Sequence, residues 1–350
     1  MLELLGEANF AALIGLIGGI ALGLAARVGR FCTLGAIEDL LYSSDDRRMR
    51  MWGLAIGVAI IGAHLSMSLG YMDAADTAYL DRVWNPVATI IGGLMFGYGM
   101  ALSGNCGYGA LARIGGGDLR SFVIVLVMGL SAYFVMSGPL AEARVWLFPV
   151  DLQASAPQGF SQLAATWNIG YATTGLLIGG GLIALSLSSA EMVHSPGHIF
   201  WGVIVGLAVV SGWVGTTWIA ETGFGNEPIE THTFAAPIGD TIYYSMTASG
   251  NELSFSVGSV VGVVIGAMLG SYSKGHFRWE ACEDPRELRR QTFGAALMGA
   301  GAILAVGCSV GQGLSAFSVL AYSAPLASAA IFIGASLGLR QLITGFAATH

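Results

Sequence analysis

Charge is what this sequence has least of. Of 350 residues, 15 are Lys or Arg and 22 are Asp or Glu, 11% in all, against about 25% in ordinary soluble chains. That scarcity excludes an ordinary soluble enzyme, because hydrophobic residues make up 54% and mean hydropathy is +0.68. One or two soluble cores could not hide so much apolar surface. Other absences narrow the reading further. No positively charged region precedes the first apolar stretch, which follows Glu3 and Glu7, so that stretch is expected to be retained rather than cleaved. The few basic residues cluster in short connections, and nucleic acid is not an expected partner. No GxxxxGK[ST] segment occurs, so ATP coupling within the chain is not expected. The four cysteines, at 32, 106, 282 and 308, form no CxxC pair and have no histidine at ligand spacing, so neither a metal site nor a cofactor is expected. The 13 methionines are scattered without an MxxM track, which fits packing better than soft-metal conduction.

What is abundant is glycine, 52 residues without the every-third-residue period of collagen. In lipid such density implies closely packed and broken helices. Apolar runs able to cross about 30 Å of hydrocarbon, or nearly so, lie near 10–27, 52–71, 84–102, 121–139, 170–188, 198–216, 254–272, 293–307 and 320–340. The chain therefore reads as an all-α polytopic membrane protein of about nine transmembrane helices, residues 1–350 forming a single transmembrane domain. Basic residues concentrate at Arg27, Arg30, Arg47, Arg48 and Arg50 and again at Lys274, Arg278, Arg286, Arg289 and Arg290. Both connections should be cytoplasmic. The acid-rich segments 72–83, 140–169 and 217–253 then lie outside, which places the N-terminus outside and the C-terminus inside.

An internal repeat marks the ends of certain spans. Apolar helices run into Arg30-Phe31-Cys32-Thr33-Leu34-Gly35, Asn105-Cys106-Gly107-Tyr108-Gly109 and Gly307-Cys308-Ser309-Val310-Gly311, with glycine three residues after each cysteine. A fourth span ending at 211–215 matches loosely, with Trp213 in the cysteine's place. The first two breaks fall at inner helix ends and the last two at outer ends, the pattern of an inverted repeat with halves of roughly 1–165 and 166–350. Cysteine beside glycine at the tip of a broken membrane helix suits an anion with an exposed sulfur. Glycine lets backbone N–H groups face the lumen, helix N-termini favour negative charge, and the thiol adds a soft contact and a weak donor.

A single buried cysteine is more often a small hydrophobe, but three at one relative position in a repeat point to Cys32, Cys106 and Cys308, with Gly35, Gly109 and Gly311, as a substrate path. Intramembrane ionisable groups are functional candidates by default. His64 is one, with satisfaction by a neighbouring backbone as its ordinary explanation. Glu38 and Asp39 are expected to pair with Arg47 or Arg48, whereas Arg30 and Arg113 could lend positive potential to an anion path or serve only as inner anchors. Asn105 and Trp213 complete the second rank, and Cys282, in a charged loop, matches none of the three contexts.

These three motifs, in their order and spacing across nearly the whole chain, resemble the YeeE/YedE family of bacterial sulfur-transport membrane proteins. The resemblance implies an inner-membrane thiosulfate uptake protein of hourglass shape, whose short loops meet at a central constriction lined by Cys32, Cys106 and Cys308. It also implies a cytoplasmic TusA-type sulfurtransferase as receiving partner. Relatives linked to selenium or to other sulfur compounds leave the cargo open among these. A membrane sulfurtransferase that cleaves thiosulfate through a cysteine persulfide is the enzymatic alternative.

Overall fold

The computed structural model describes residues 6–73, 77, 79–149, 157–223, 227–281 and 284–345. Cys282, Asp76 and Asp151 lie outside the described residues. Each expected apolar run coincides with a helix: α1 (Glu7–Arg27), α3 (Arg47–Ser68), α4 (Pro86–Ser103), α6 (Leu119–Met136), α7 (Tyr171–Ser186), α8 (Pro196–Thr222), α10 (Phe255–Ser273), α11 (Pro285–Leu304) and α12 (Ser323–Thr344). Among the shorter helical pieces between them are α2 (Thr33–Glu38), α5 (Gly107–Ile114), α9 (Ala236–Thr247), and a helix over 309–318 whose middle, Gly311–Ala316, is π-helical. Among the described residues, seven helices are long and apolar enough to cross a membrane. The 16-residue α7 spans about 24 Å at 1.5 Å per residue, short of a full hydrocarbon core. Helix α11 opens on Asp284, Pro285, Arg286 and Glu287 before its apolar part begins. Large apolar side chains such as Ile17, Leu65, Phe134, Leu177 and Leu207 point outward, as a lipid-facing surface requires.

The packing follows a two-fold pattern. Helix α1 packs on α10 and α8 on α3; α4 packs on α12 and α11 on α6; α1 meets α8, and α4 meets α11. The short pieces obey the same exchange. Helix α9 packs on α6 as α2 does on α12, and α5 packs on α10 as the π segment does on α3. Only α7, packed on α3, has no counterpart among these long helices. With α7 counted as one crossing, α8 runs opposite to α1 across the membrane, so a second unit built like the first would be inverted.

Glycine makes the close approach possible. Along α1, Gly15, Gly19 and Gly23 recur every fourth residue, and a Cβ on any of them would stand 2.2–2.3 Å from a carbonyl oxygen of α10. Helix α10 answers with Gly258, Gly262 and Gly266 against carbonyls of α1. This is the small-residue seam that lets membrane helices touch backbone to backbone.

The basic connections gather on one face. The Arg27 guanidinium donates to the His276 carbonyl (3.1 Å), and Arg278 N–H donates to the Gly116 carbonyl (3.1 Å). Arg48 pairs with Asp39 at 2.9 Å, whereas Arg47 takes Asp45 (2.6 Å) instead of the expected Glu38 or Asp39. The Arg47 side-chain hydrogen bond holds the Asp45 carboxyl down at about 2. The acid-rich connections meet elsewhere: Gln158 N–H donates to the Leu80 carbonyl and Phe160 N–H to that of Leu320, both at 2.9 Å.

Candidate functional site

Each cysteine of the repeat follows a break of the same construction. The residue two positions before it is left-handed: Arg30 (φ 56°), Gly104 (φ 73°) and Val306 (φ 55°). The chain thus turns out of its long helix, passes through the cysteine, which is extended at Cys32 and Cys106, and starts a short helix at once. Cys32 and Cys106 are the N-cap residues of α2 and α5, and Cys308 immediately precedes the helix over 309–318. Only one of the three left-handed positions is glycine, so two breaks carry steric strain, the greater at β-branched Val306. Val306→Gly is therefore expected to be neutral or to stabilise by up to about 1 kcal/mol, the relief being partly offset by a freer unfolded chain. Gly104→Ala is expected to cost about 1 kcal/mol, although nothing lies within 4 Å of the added methyl. Thermal unfolding in detergent checks the pair, and equal shifts of one sign would refute the assignment.

The glycine three residues after the cysteine serves two different purposes. At Gly109 and Gly311 the backbone N–H donates to the sulfur of Cys106 and Cys308, each at 3.4 Å. A thiol whose lone pairs accept backbone N–H groups keeps its S–H free to donate elsewhere. Gly35 makes no such bond to Cys32. There the missing side chain leaves room for the Arg48 guanidinium, which a Cβ would meet at 2.4 Å. Arg48 also donates twice to the Arg30 carbonyl at 3.1 Å, pinning the strained turn. The exposed Arg30 contributes its carbonyl to that pin, and Arg113, at the end of α5, is likewise exposed.

The breaks converge. Cys106 has Cys32, Cys308 and Ser309 as neighbours, and Tyr108 sits beside both Cys106 and Cys32. Three fully buried rings bind the loops together: Tyr108 lies 5.3 Å from Phe234 and 6.4 Å, edge-on, from Phe31, while its hydroxyl donates to the Leu22 carbonyl at 2.6 Å. Cys32 is half-buried, and Cys106 and Cys308 are each 1% exposed. All three are free thiols.

The expected fourth break at 211–215 does not exist. Helix α8 runs unbroken from Pro196 to Thr222, because Gly212 and Gly215 serve as contact points against Thr231 and Ile14, not as chain turns. Trp213 is fully buried within that helix, its indole N–H donating to the Ser318 hydroxyl at 2.9 Å. The fourth unit is instead the segment before α9. Phe234 N–H donates to the Cys308 sulfur at 3.3 Å and the Thr233 hydroxyl lies 3.7 Å from it.

This irregular backbone is satisfied from every side, as membrane burial demands. Thr216 bonds both N–H and C=O of Glu230, Thr231 donates to the Val209 carbonyl, and Ser315 donates to the His232 carbonyl at 2.7 Å. Gln312 closes the other side, donating to the carbonyls of Ala305 and Val306. Tyr79, from the acid-rich connection, packs edge-on against Trp213 and reaches Gly311 beside Thr233. His64 stands apart in its bonding: its ring nitrogens lie 2.9 Å from the Ile60 carbonyl and 2.6 Å from the Ser161 hydroxyl.

The contacts of the Cys308 loop that sequence reasoning missed are Thr233, Phe234 and Tyr79. None belongs to a cysteine motif, and the only signal was the polar run Thr231-His232-Thr233 ahead of Pro237.

Membrane-length helices broken by re-entrant pieces, with buried thiols where the breaks meet, define a polytopic membrane transporter. Residues 28–337 match the family described as sulphur transport, and the chain belongs to it. The protein is thus a transporter of sulfur compounds, not an enzyme. It is similar to the thiosulfate transporter TsuA of Spirochaeta thermophila, 25% identical over 329 residues that cover 91% of this chain and 96% of that one. It is also similar to the thiosulfate transporter TsuA of Escherichia coli, 25% identical over 323 residues and 86% of each chain.

Proposed function

We propose that this protein carries thiosulfate inward across the bacterial inner membrane, its terminal sulfur passing between the thiols of Cys308, Cys106 and Cys32 by S–H···S contacts. The observation that carries the reading is that Cys106 is fully buried with both Cys32 and Cys308 close enough to act on its thiol. The two relatives, named as thiosulfate transporters, support this cargo over other sulfur or selenium anions. Cys308 is the outer station, because its loop meets Tyr79 from an acid-rich connection. Cys32 is the inner one, because its break is pinned by Arg48 of the basic face, which donates to the Arg30 carbonyl and fills the space beside Gly35. The basic face is cytoplasmic by the positive-inside rule, with the N-terminus outside and the C-terminus inside. A TusA-type sulfurtransferase is the fitting receiver at that face. The halves 1–165 and 166–350 are the two inverted units, and α7 is the crossing that inverts the second.

No covalent step is needed, so the anion arrives whole. Cells lacking their own thiosulfate systems are expected to import thiosulfate with both sulfur atoms, separately labelled, in equal amounts. Sulfate, sulfite and selenium oxyanions added as competitors define the class of cargo. Entry of the terminal sulfur alone would exclude this mechanism and restore the persulfide alternative.

A further inference from the structure

Thiols meet only one end of a sulfur oxyanion. Thiosulfate carries its terminal sulfur on a sulfonate group, and three oxygens stripped of water need hard donors that a thiol cannot supply. The structure contains such donors next in sequence to each of the three cysteines of the repeat. Thr33 follows Cys32, Asn105 precedes Cys106 and Ser309 follows Cys308; Thr33 Oγ1, Asn105 Nδ2 and Ser309 Oγ are all buried without a hydrogen-bond partner. The indole N–H of Trp52 is a fourth such donor. Trp52 stacks on Phe31, the residue before Cys32, at 4.5 Å and also faces Gly313 of the π segment, so it stands between the first and last breaks. Asn105 and Ser309 are each 3% exposed and Trp52 is 6% exposed. The Ser309 hydroxyl acts on the Cys106 thiol, which joins the last break to the second.

A buried donor without a partner is a cost to the fold, tolerated where another role uses it. Of the ten such atoms among the described residues, three belong to residues next in sequence to the three cysteines and a fourth to the ring stacked on Phe31, a concentration at the breaks that packing imperfection alone does not account for.

We propose that Thr33, Asn105, Ser309 and Trp52 form an oxygen-binding track alongside the thiols. At each station the thiol takes the terminal sulfur while the neighbouring hydroxyl, amide or indole N–H takes sulfonate oxygens. This deepens the thiosulfate reading and rests on it. The pairing selects cargo by requiring both ends: sulfate satisfies only the oxygen donors, and hydrosulfide only the thiols.

The test replaces each donor by an apolar residue of similar shape, in the full-length protein: Ser309→Ala, Thr33→Val, Asn105→Leu and Trp52→Phe. Initial rates of labelled thiosulfate uptake are compared with the thermal unfolding midpoint of the same purified variant. Because Thr33 Oγ1 has no partner in the fold and Ser309 reaches only the Cys106 thiol, Thr33→Val is expected to leave the midpoint unchanged or raise it, and Ser309→Ala to move it little. Uptake should nonetheless show a KM at least ten times higher. Sulfate competition, weak in the native protein, should vanish in Asn105→Leu and persist in Cys106→Ser. Gln162→Leu, which removes an equally unpartnered side chain from the helix Phe160–Thr166, should change neither readout.

Native uptake with all four donor variants within two-fold of it would overturn the track and leave the thiol relay standing. So would a fall of midpoint and uptake together in Ser309→Ala and Thr33→Val. Absence of thiosulfate uptake by the native protein would instead remove the functional reading itself.

Discussion

Replacing Cys106 with alanine is expected to lower thiosulfate uptake by roughly 10- to 100-fold, the loss that follows when a buried partner worth about 1.4 to 2.8 kcal/mol is left unmade. The position matters because the buried Cys106 thiol has both other thiols as neighbours, so on the proposed path its removal interrupts the relay. Alanine alone does not isolate that effect. The Cys106 sulfur also accepts the Gly109 N–H and so caps α5, and a lost cap costs about 1 kcal/mol. Serine separates the two roles. A hydroxyl is a favoured N-cap, so Cys106→Ser should fold at least as well as the native chain. It is also harder and less polarizable than a thiol, a poorer partner for a terminal sulfur. The expected result is therefore a Cys106→Ser protein of native stability with strongly reduced uptake and a Cys106→Ala protein about 1 kcal/mol less stable with reduced uptake as well. Native rates in either variant would dispose of the relay, whatever happened to stability.

The cysteine breaks were legible in advance because one physical demand recurs in them. A chain that leaves a membrane helix, exposes backbone N–H groups and re-enters must use small residues, and Cys-x-x-Gly shows that three times. What stayed hidden was how each glycine is used. Gly109 and Gly311 offer N–H groups to sulfur, whereas Gly35 only makes way for a guanidinium, and composition cannot tell an offered donor from an empty space. The same ambiguity misled at 211–215, where glycines that admit Thr231 and the side chain of Ile14 looked like those of a break. The true fourth unit escaped because its contribution to Cys308 is mainly a backbone N–H, from Phe234. Left-handed Arg30 and Val306 were equally invisible, since neither residue type announces that conformation. The helices themselves were read with little loss, because their signal is mean apolarity over a length that lipid sets.

The second large effect lies in the α1–α10 seam, away from any thiol. A methyl at Gly19 would stand 2.3 Å from the Ser259 carbonyl oxygen and 3.0 Å from the Gly262 Cα. A methyl at Gly262 would stand 2.4 Å from the Leu16 carbonyl oxygen. These obstacles are backbone atoms and cannot rotate aside, so the helices must move apart along a shared seam. Overpacking of that kind costs about 1–3 kcal/mol per site, and here it disturbs the contacts that hold α10 beside α5 and α9. Gly19→Ala and Gly262→Ala should each lower the unfolding midpoint in detergent by several degrees, and the pair should fall short of additivity because both open one gap. Gly180 and Gly181 of α7 provide the comparison, as an added Cβ there meets nothing within 4 Å. Alanine at those positions should hold the midpoint or raise it, since alanine is favoured over glycine in helices by up to about 1 kcal/mol. The contrast turns on what each glycine faces: the residue type and the substitution are the same. Equal shifts at the two places would mean that glycine in this protein tunes helix propensity, and that the seam does not depend on backbone contact.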